Sequence, residues 1–418
     1  MSADREADPP RRRVRVAYLA GDLGAGGAER QVVLLAASLD RERFEPTIVV
    51  WRDRRFYGRE AEAARIPILR VPKGGRFDCT FPFRLRSALL SGGFDVWHGW
   101  LEAGSFWART LSRGLGARRP AVIASFRCTE MRSAYRRLEP FLQRFTDATV
   151  VNGEAVREEL VSRCGADAAR VSLSENAIDL DRFFRGERPD RAAAAAAREE
   201  TGLAALAEGM PRDLPLVALV GRIAAQKDPL TFVRSAAAAA AAGRPFAALL
   251  VGDRADGRLA AAALSLARDL GVADRVRLVP PVAAVERLYD AVDAVAFPTL
   301  YEGFPNVLVE TIAAGLPVAA SEIPQCRAAL AGYSRARFAP TGEPKALAAA
   351  VESALRSEPA PAAARRALLA RFSPGRMARD AETLYERWVA ARRGSVPLGL
   401  SSEAKYASRL SMAQRARP

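Results

Sequence analysis

Two glutamates eight residues apart stand in the stretch TLYEGFPNVLVETIAAGLPV, Thr299 to Val318. On one continuous helix, eight residues at 3.6 per turn leave side chains about 80° apart, so a single helix would not put Glu302 and Glu310 on one face. Gly303 supplies a flexible turn, and Pro305 is tolerated in a first helical turn. The spacing therefore predicts a helix starting around Phe304 to Asn306, with Glu302 on its lip and Glu310 just over one turn inside. Helical side chains lean toward the N-terminus. Both carboxylates then border a pocket floored by the backbone of Phe304, Pro305, Asn306, Val307 and Leu308, whose N–H groups, which Pro305 lacks, have no intrahelical partner. Such a floor suits an anion, and its carboxylate rim suits hydroxyl groups.

A second group of candidates lies in strand-to-helix turns. In GRIAAQK, Gly221 to Lys227, two cations sit five residues apart just past an apolar run. Arg222 can fork onto two phosphate oxygens, and Lys227 can make a point contact; an ordinary solvated turn is the plain alternative. The turn GAGGAER, Gly24 to Arg30, fails the G-x-G-x-x-G dinucleotide pattern because Glu29 holds the last glycine position. It leaves Gly26 and Gly27 at a helix start, where backbone can approach a diphosphate or sugar closely. His98, the sole histidine, follows the run DVW and is placed by this pattern at a strand end. It is either a satisfied polar group or a hydrogen-bonding group beside a reacting sugar. A hydrolase triad finds no partners for it. Asp179 and Asp181 spell DxD, but away from any glycine-rich turn, so metal binding is not expected there.

The elements that would position these residues repeat one scheme. VRVAYLA from Val14 and PLVALV before Gly221 are strands running into polar, glycine-bearing turns and then helices. Between and after them, short apolar runs (PTIVVW, IPILRVP, DVWHGW, AVIASF, DATVVN, RVSLSEN, then FAALLVG, RVRLVP, DAVAFPT, LPVAAS) alternate with helical ones. This is the pattern of α/β proteins with parallel sheets covered on both faces. It occurs twice, which predicts two Rossmann-like doubly wound domains facing a central cleft, with ligands beyond the carboxyl ends of the strands. The expected boundaries are a disordered lead at 1–13, a first domain at 14–185, a linker region at 186–214, a second domain at 215–376, a C-terminal helix at 377–392 and a basic tail at 393–418.

The 418 residues suffice for two cores. No apolar run reaches membrane-spanning length without charge, and residues 1–13 lack the apolar stretch of a signal peptide, so a cytoplasmic protein is expected. Cys79, Cys128, Cys164 and Cys326 are scattered without metal or disulfide spacing. The net charge is +15, and the basic residues are almost all arginines. Arg76 to Arg144 holds 12 arginines against five acids. Within it, Met131 to Phe145 has helical apolar spacing with Arg132, Arg136, Arg137 and Arg144 largely elsewhere. Two readings stay open: a solvated basic helix face, or contact with an anionic membrane surface at the inner face of the membrane or with a lipid-diphosphate acceptor. No nucleic-acid recognition module is present.

GGAER, His98 after a strand, GRIAAQKD, LLVGD and above all Glu302-x7-Glu310 together resemble the retaining GT-B glycosyltransferases, the large family of bacterial polysaccharide and glycolipid enzymes. The likeness runs from about residue 14 to 390 and departs at Gln325, Cys326 and Arg327, at Arg254, and at Ala177. The resemblance implies a hexosyltransferase that moves a sugar from a nucleotide-diphosphate sugar to a glycan or lipid-linked acceptor with retention, using no metal and no cofactor beyond that co-substrate. It assigns Arg222 and Lys227 to the diphosphate, Glu310 to the ribose, and Glu302 with Gly303 to Asn306 to sugar hydroxyls. Gly26 and Gly27 approach the phosphate, and His98 faces the sugar. The competing readings are a nicotinamide-dependent oxidoreductase, weakened by Glu29, and a catalytically silent nucleotide-sugar-binding protein.

Overall fold

The computed structural model describes residues 12–75, 77–128, 133–186, 199, 209–211, 213–253, 257–282 and 284–394. Most of the expected lead, linker and tail, with Arg76, Met131, Arg132 and Arg254, lies outside these residues. Two compact units form: Met1–Ser174 with Met377–Pro418, and Glu175–Arg376. The second unit begins at Glu175, ten residues before the expected limit at 185, because Ile178 and Phe183 pack into its core. The C-terminal helix spans Pro374–Arg392, and the division falls inside it.

In the first unit the strands are β1 (Val14–Gly21), β2 (Phe44–Val50), β3 (Ile68–Arg70), β4 (Val96–Trp100), β5 (Ala121–Phe126), β6 (Ala148–Val151) and β7 (Val171–Leu173). They pair in parallel in the order β3-β2-β1-β4-β5-β6-β7. The second unit holds β8 (Leu216–Val220), β9 (Ala247–Val251), β10 (Val276–Val279), β11 (Ala294–Phe297), β12 (Val318–Ser321) and β13 (Ala336–Ala339). Its order is β10-β9-β8-β11-β12-β13, again all parallel. Strands such as AVIASF and LVALV are buried along their whole length, as parallel strands covered on both faces must be. Each strand order reverses once, between β1 and β4 and between β8 and β11. Those switch points open a crevice at the carboxyl edge of each sheet.

Close backbone contact holds the first switch point together. The helix Leu101–Leu111 follows β4 directly, and a Cβ on Gly104 would lie 1.8 Å from the Leu19 carbonyl oxygen of β1. Only glycine permits that approach. Leu101 itself has φ 59°, a left-handed conformation costly for a branched side chain.

The basic helix differs from its expected form. It spans Ser133–Leu142, and Glu139 takes a core-facing position because the buried Arg109 guanidinium forks onto it at 2.6 and 2.9 Å. Leu138 and Phe141, expected on the apolar face, point into solvent, and Arg113 and Arg144 lie over the Phe141 ring. Among the described residues no helix is long and apolar enough to cross a membrane.

Candidate functional site

Two turns leave the carboxyl edge of the second sheet on either side of its switch point. The first follows β8. Gly221 has φ 142° and Gly252, after β9, has φ 154°; a Cβ on Gly252 would sit 1.8 Å from the Gly221 carbonyl oxygen. Side-chain-free backbone there lets the turn fold tightly over the sheet. Ile223 is buried and its N–H donates to Asp253 O at 2.8 Å, which anchors the turn. Arg222 projects outward, exposed. Lys227 closes a short 3-10 turn, after which Asp228 accepts from the Thr231 N–H at 3.1 Å and caps the helix Pro229–Ala241.

The second turn follows β11 and is laced to the first. Leu300 N–H donates to Gln226 O at 2.8 Å, and the Gln226 side-chain amide donates to Tyr301 O at 2.8 Å. The turn delivers Glu302, buried, onto Lys227: the ammonium donates to Glu302 Oε1, which also accepts from Thr299 Oγ1 at 2.8 Å. Lys227 Nζ stands 4.3 Å from the Phe297 ring centroid. An ion pair, a hydroxyl and an aromatic face thus share one small volume. Cys326 lies beside it, fully buried, and burial with the nearby Glu302 charge pushes its thiol pKa far up. It is a neutral wall of the site.

The helix begins at Asn306 and ends at Ala314, with Gly315 in the left-handed conformation after it. Its floor is narrower than expected, since Asn306 N–H donates to Phe304 O at 3.1 Å and Leu308 N–H to Pro305 O at 3.0 Å. Asn306 Oδ1 accepts from Asn176 at 2.8 Å. Gly303 and Pro305 are buried, Phe304 and Val307 half-buried, and Phe304 packs edge-on against Phe372. Glu310 is buried and accepts from the Tyr289 hydroxyl at 2.7 Å. At the far end, the buried Arg365 guanidinium donates to Ala313 O at 2.7 Å and Arg335 to Gly315 O at 2.7 Å, satisfying carbonyls a helix end leaves bare.

The first-unit candidates are placed less as expected. Gly26 precedes the helix Gly27–Ser38, but the Glu29 carboxylate folds against it, 2.0 Å from where a Gly26 Cβ would be. A phosphate approaching this turn requires Glu29 to swing away. His98 lies mid-strand, not at the strand end, because β4 continues to Trp100. Both its ring nitrogens are engaged, Nδ1 with the Tyr385 hydroxyl at 2.6 Å and Nε2 with Ser125 Oγ at 3.0 Å. Burial, with the Arg127 charge added, pushes its pKa down to about 3. It is a neutral hub of a buried network that continues from Tyr385 to Tyr18 at 3.0 Å. The residue that does stand at the carboxyl edge nearby is Arg127, just past β5, its guanidinium 4.2 Å from the Trp100 ring centroid. Asp179 caps a short helix by accepting from Arg182 N–H at 3.2 Å, and Asp181 is exposed. Among the described residues no three His, Cys, Asp or Glu side chains gather as metal ligands would.

Sequence reasoning missed Gln226, Thr299, Tyr289, Asn176 and Arg365. The first two stood inside the quoted turns. Tyr289, Asn176 and Arg365 come from other elements and carried no local signal.

Two all-parallel sheets with their strand order reversed at a crevice, one crevice holding cations and buried carboxylates, define a doubly wound α/β class of protein. Comparison places the chain within it. Residues 25–182 match the family model described as Glycosyltransferase Family 4, and residues 214–357 match that of Glycosyl transferases group 1. The chain is 37% identical over 182 residues to the D-inositol 3-phosphate glycosyltransferase of Mycobacterium sp. (strain KMS), covering 42% of this chain and 37% of that protein. It is 38% identical over 184 residues to that of Nocardia farcinica, covering 42% and 38%. The alignments thus span under two fifths of these relatives. In fold it resembles the Anabaena protein Alr3699/HepE, solved in complex with UDP and glucose, at TM-score 0.73 and 17% identity over 90% of this chain and all of that one. Sucrose-phosphate synthase from Thermosynechococcus elongatus superposes at TM-score 0.70 and 18% identity, over 91% of this chain and 100% of that one. The chain belongs to the GT-B glycosyltransferases.

Proposed function

We propose that the protein transfers a hexose, with retention and without a metal, from a nucleotide-diphosphate sugar to a glycan or lipid-linked acceptor at the inner face of a membrane. The observation that carries this reading is the Lys227–Glu302 pair beside exposed Arg222 at the second switch point. Lys227 and Arg222 hold the diphosphate and stabilise the charge that develops as it leaves. Glu310, steadied by Tyr289, accepts from the ribose. Glu302, with the backbone from Gly303 to Asn306, receives sugar hydroxyls. In the first unit, Gly26 and Gly27 offer close backbone approach once Glu29 turns aside, and His98 acts by positioning β4. In the step itself the bond from the anomeric carbon to the diphosphate oxygen breaks and that from the acceptor oxygen forms on the same face; the acceptor proton passes to a leaving phosphate oxygen.

A panel of UDP-, GDP- and ADP-sugars, scored by thermal stabilisation and slow hydrolysis, tests the reading. One sugar nucleotide should stabilise the protein, with activity surviving EDTA. Glu310→Ala should weaken the free nucleoside diphosphate and the donor alike, and Glu302→Ala chiefly the donor. Stabilisation by NAD alone would restore the oxidoreductase reading. Donor binding with no turnover on any acceptor would favour a silent binding protein.

A further inference from the structure

The first unit leaves its two most exposed large apolar side chains, Phe77 and Phe83, close together in sequence at the start of one helix. Phe77 is 89% and Phe83 76% exposed, and Phe56 is 41% exposed. Phe56 follows β2; Phe77 follows β3, and Phe83 lies in the first turn of the next helix, Phe81–Ser91. Because β2 and β3 run parallel side by side, these residues share the carboxyl edge of the sheet, the edge that also carries the Gly26–Gly27 turn. The helix buries Phe81, Leu85 and Leu89. Phe83 is therefore no frayed core residue; it stands on the opposite face.

Hydrogen bonds tie the display together. Lys73 N–H donates to Trp51 O at 3.1 Å and joins the two loops. Asp78 accepts from Gly74 N–H at 2.7 Å, Phe81 N–H at 3.0 Å and the Arg84 guanidinium at 2.6 Å. The surrounding charge is predominantly positive, with Arg52 paired to Asp22 and Arg55 to Asp53. From Arg52 to Arg86 there are ten basic residues against four acidic ones, Asp78 among the latter is already committed inside its loop, and Arg52, Arg54 and Arg55 are exposed. Single exposed apolar residues are ordinary. Aromatic rings held in water by a fixed frame, ringed by arginines, match the headgroup–acyl boundary of an anionic bilayer.

We propose that this edge docks on an anionic phospholipid bilayer, with Phe56, Phe77 and Phe83 entering the boundary and Arg52, Arg54 and Arg55 meeting the headgroups. The proposal deepens the membrane element of the function above by giving it a surface, distinct from the Ser133–Leu142 helix. A lipid-borne acceptor would then arrive at the ligand-binding edge of the sheet.

Co-sedimentation of the full chain with phosphatidylcholine vesicles, with or without phosphatidylglycerol, tests it. The wild type should sediment with the anionic vesicles, less so at high salt. The Phe77→Ser/Phe83→Ser variant should lose about tenfold in partitioning, whereas Leu138→Ser/Phe141→Ser should not. Both sites are exposed, so folding is spared. Equal binding to both vesicle types, unchanged binding of Phe77→Ser/Phe83→Ser, or a dimer that this variant dissociates would each overturn the proposal. Nucleoside-diphosphate stabilisation of the same variant reports the second unit separately, so failure here leaves the donor reading intact.

Discussion

Lys227→Met keeps an apolar stem beside Phe297 and removes only the ammonium. Its side chain is 14% exposed and that of Glu302 7%, so the substitution strands a nearly buried carboxylate. Breaking a fully buried pair from one side costs about 3–5 kcal/mol. Here Thr299 Oγ1 still donates to Glu302 at 2.8 Å and some solvent reaches the pair, which brings the expected loss to about 2 kcal/mol. A urea melt would read that figure. The phosphate role is a separate quantity: losing a charge-assisted hydrogen bond of roughly 1.5–3 kcal/mol lowers nucleoside-diphosphate affinity and kcat/KM about 10- to 100-fold. Glu302→Gln separates the two effects, because it frees the ammonium from its partner and should leave nucleotide affinity unchanged or tighter, as titration calorimetry would measure. If Lys227→Met destabilises the fold yet binds nucleoside diphosphate as the wild type does, the pair is structural and the phosphate assignment is wrong.

Two further outcomes follow from the first unit. His98 has its pKa lowered to about 3, first by burial and then by Arg127, while unfolded histidine titrates near 6.5. The unfolded state therefore binds the extra proton, and stability present above about pH 6.5 falls as pH drops toward 3, by about 1.4 kcal/mol per unit within that window. His98→Gln should flatten that part of a stability-against-pH curve; an unchanged slope would refute the buried neutral assignment. Gly104→Ala places a Cβ 1.8 Å from Leu19 O, so the helix Leu101–Leu111 must lift from β1. A loss of about 3 kcal/mol or insoluble expression is expected, and a wild-type melting temperature would contradict the packing.

The strands were legible because parallel strands buried on both faces read as unbroken apolar runs. β13, Ala336–Ala339, escaped because its sequence ARFA alternates and is only partly buried. The Glu302 turn and the helix start were legible from Gly303 and Pro305, which act locally. His98 was misplaced for the converse reason: its partners Ser125 and Tyr385 lie 27 and 287 residues away, and no spacing rule reports hydrogen bonds across such distances. The same holds for Glu139, whose core position depends on Arg109 from another helix. The covering of Gly26 by Glu29 is local, but a rotamer is not written in a motif.

The division of the chain at Ser174 and again at Arg376 gives the first unit a debt in time. Tyr18 and His98 emerge from the ribosome early, yet the hydroxyl that joins them belongs to Tyr385, and Phe44 packs edge-on against that same ring. Until it arrives, the amino-terminal sheet carries an open polar pocket in its core, while the second unit can close in one uninterrupted piece. Vectorial synthesis, which ordinarily lets the leading domain fold first, here makes the leading domain the last to finish.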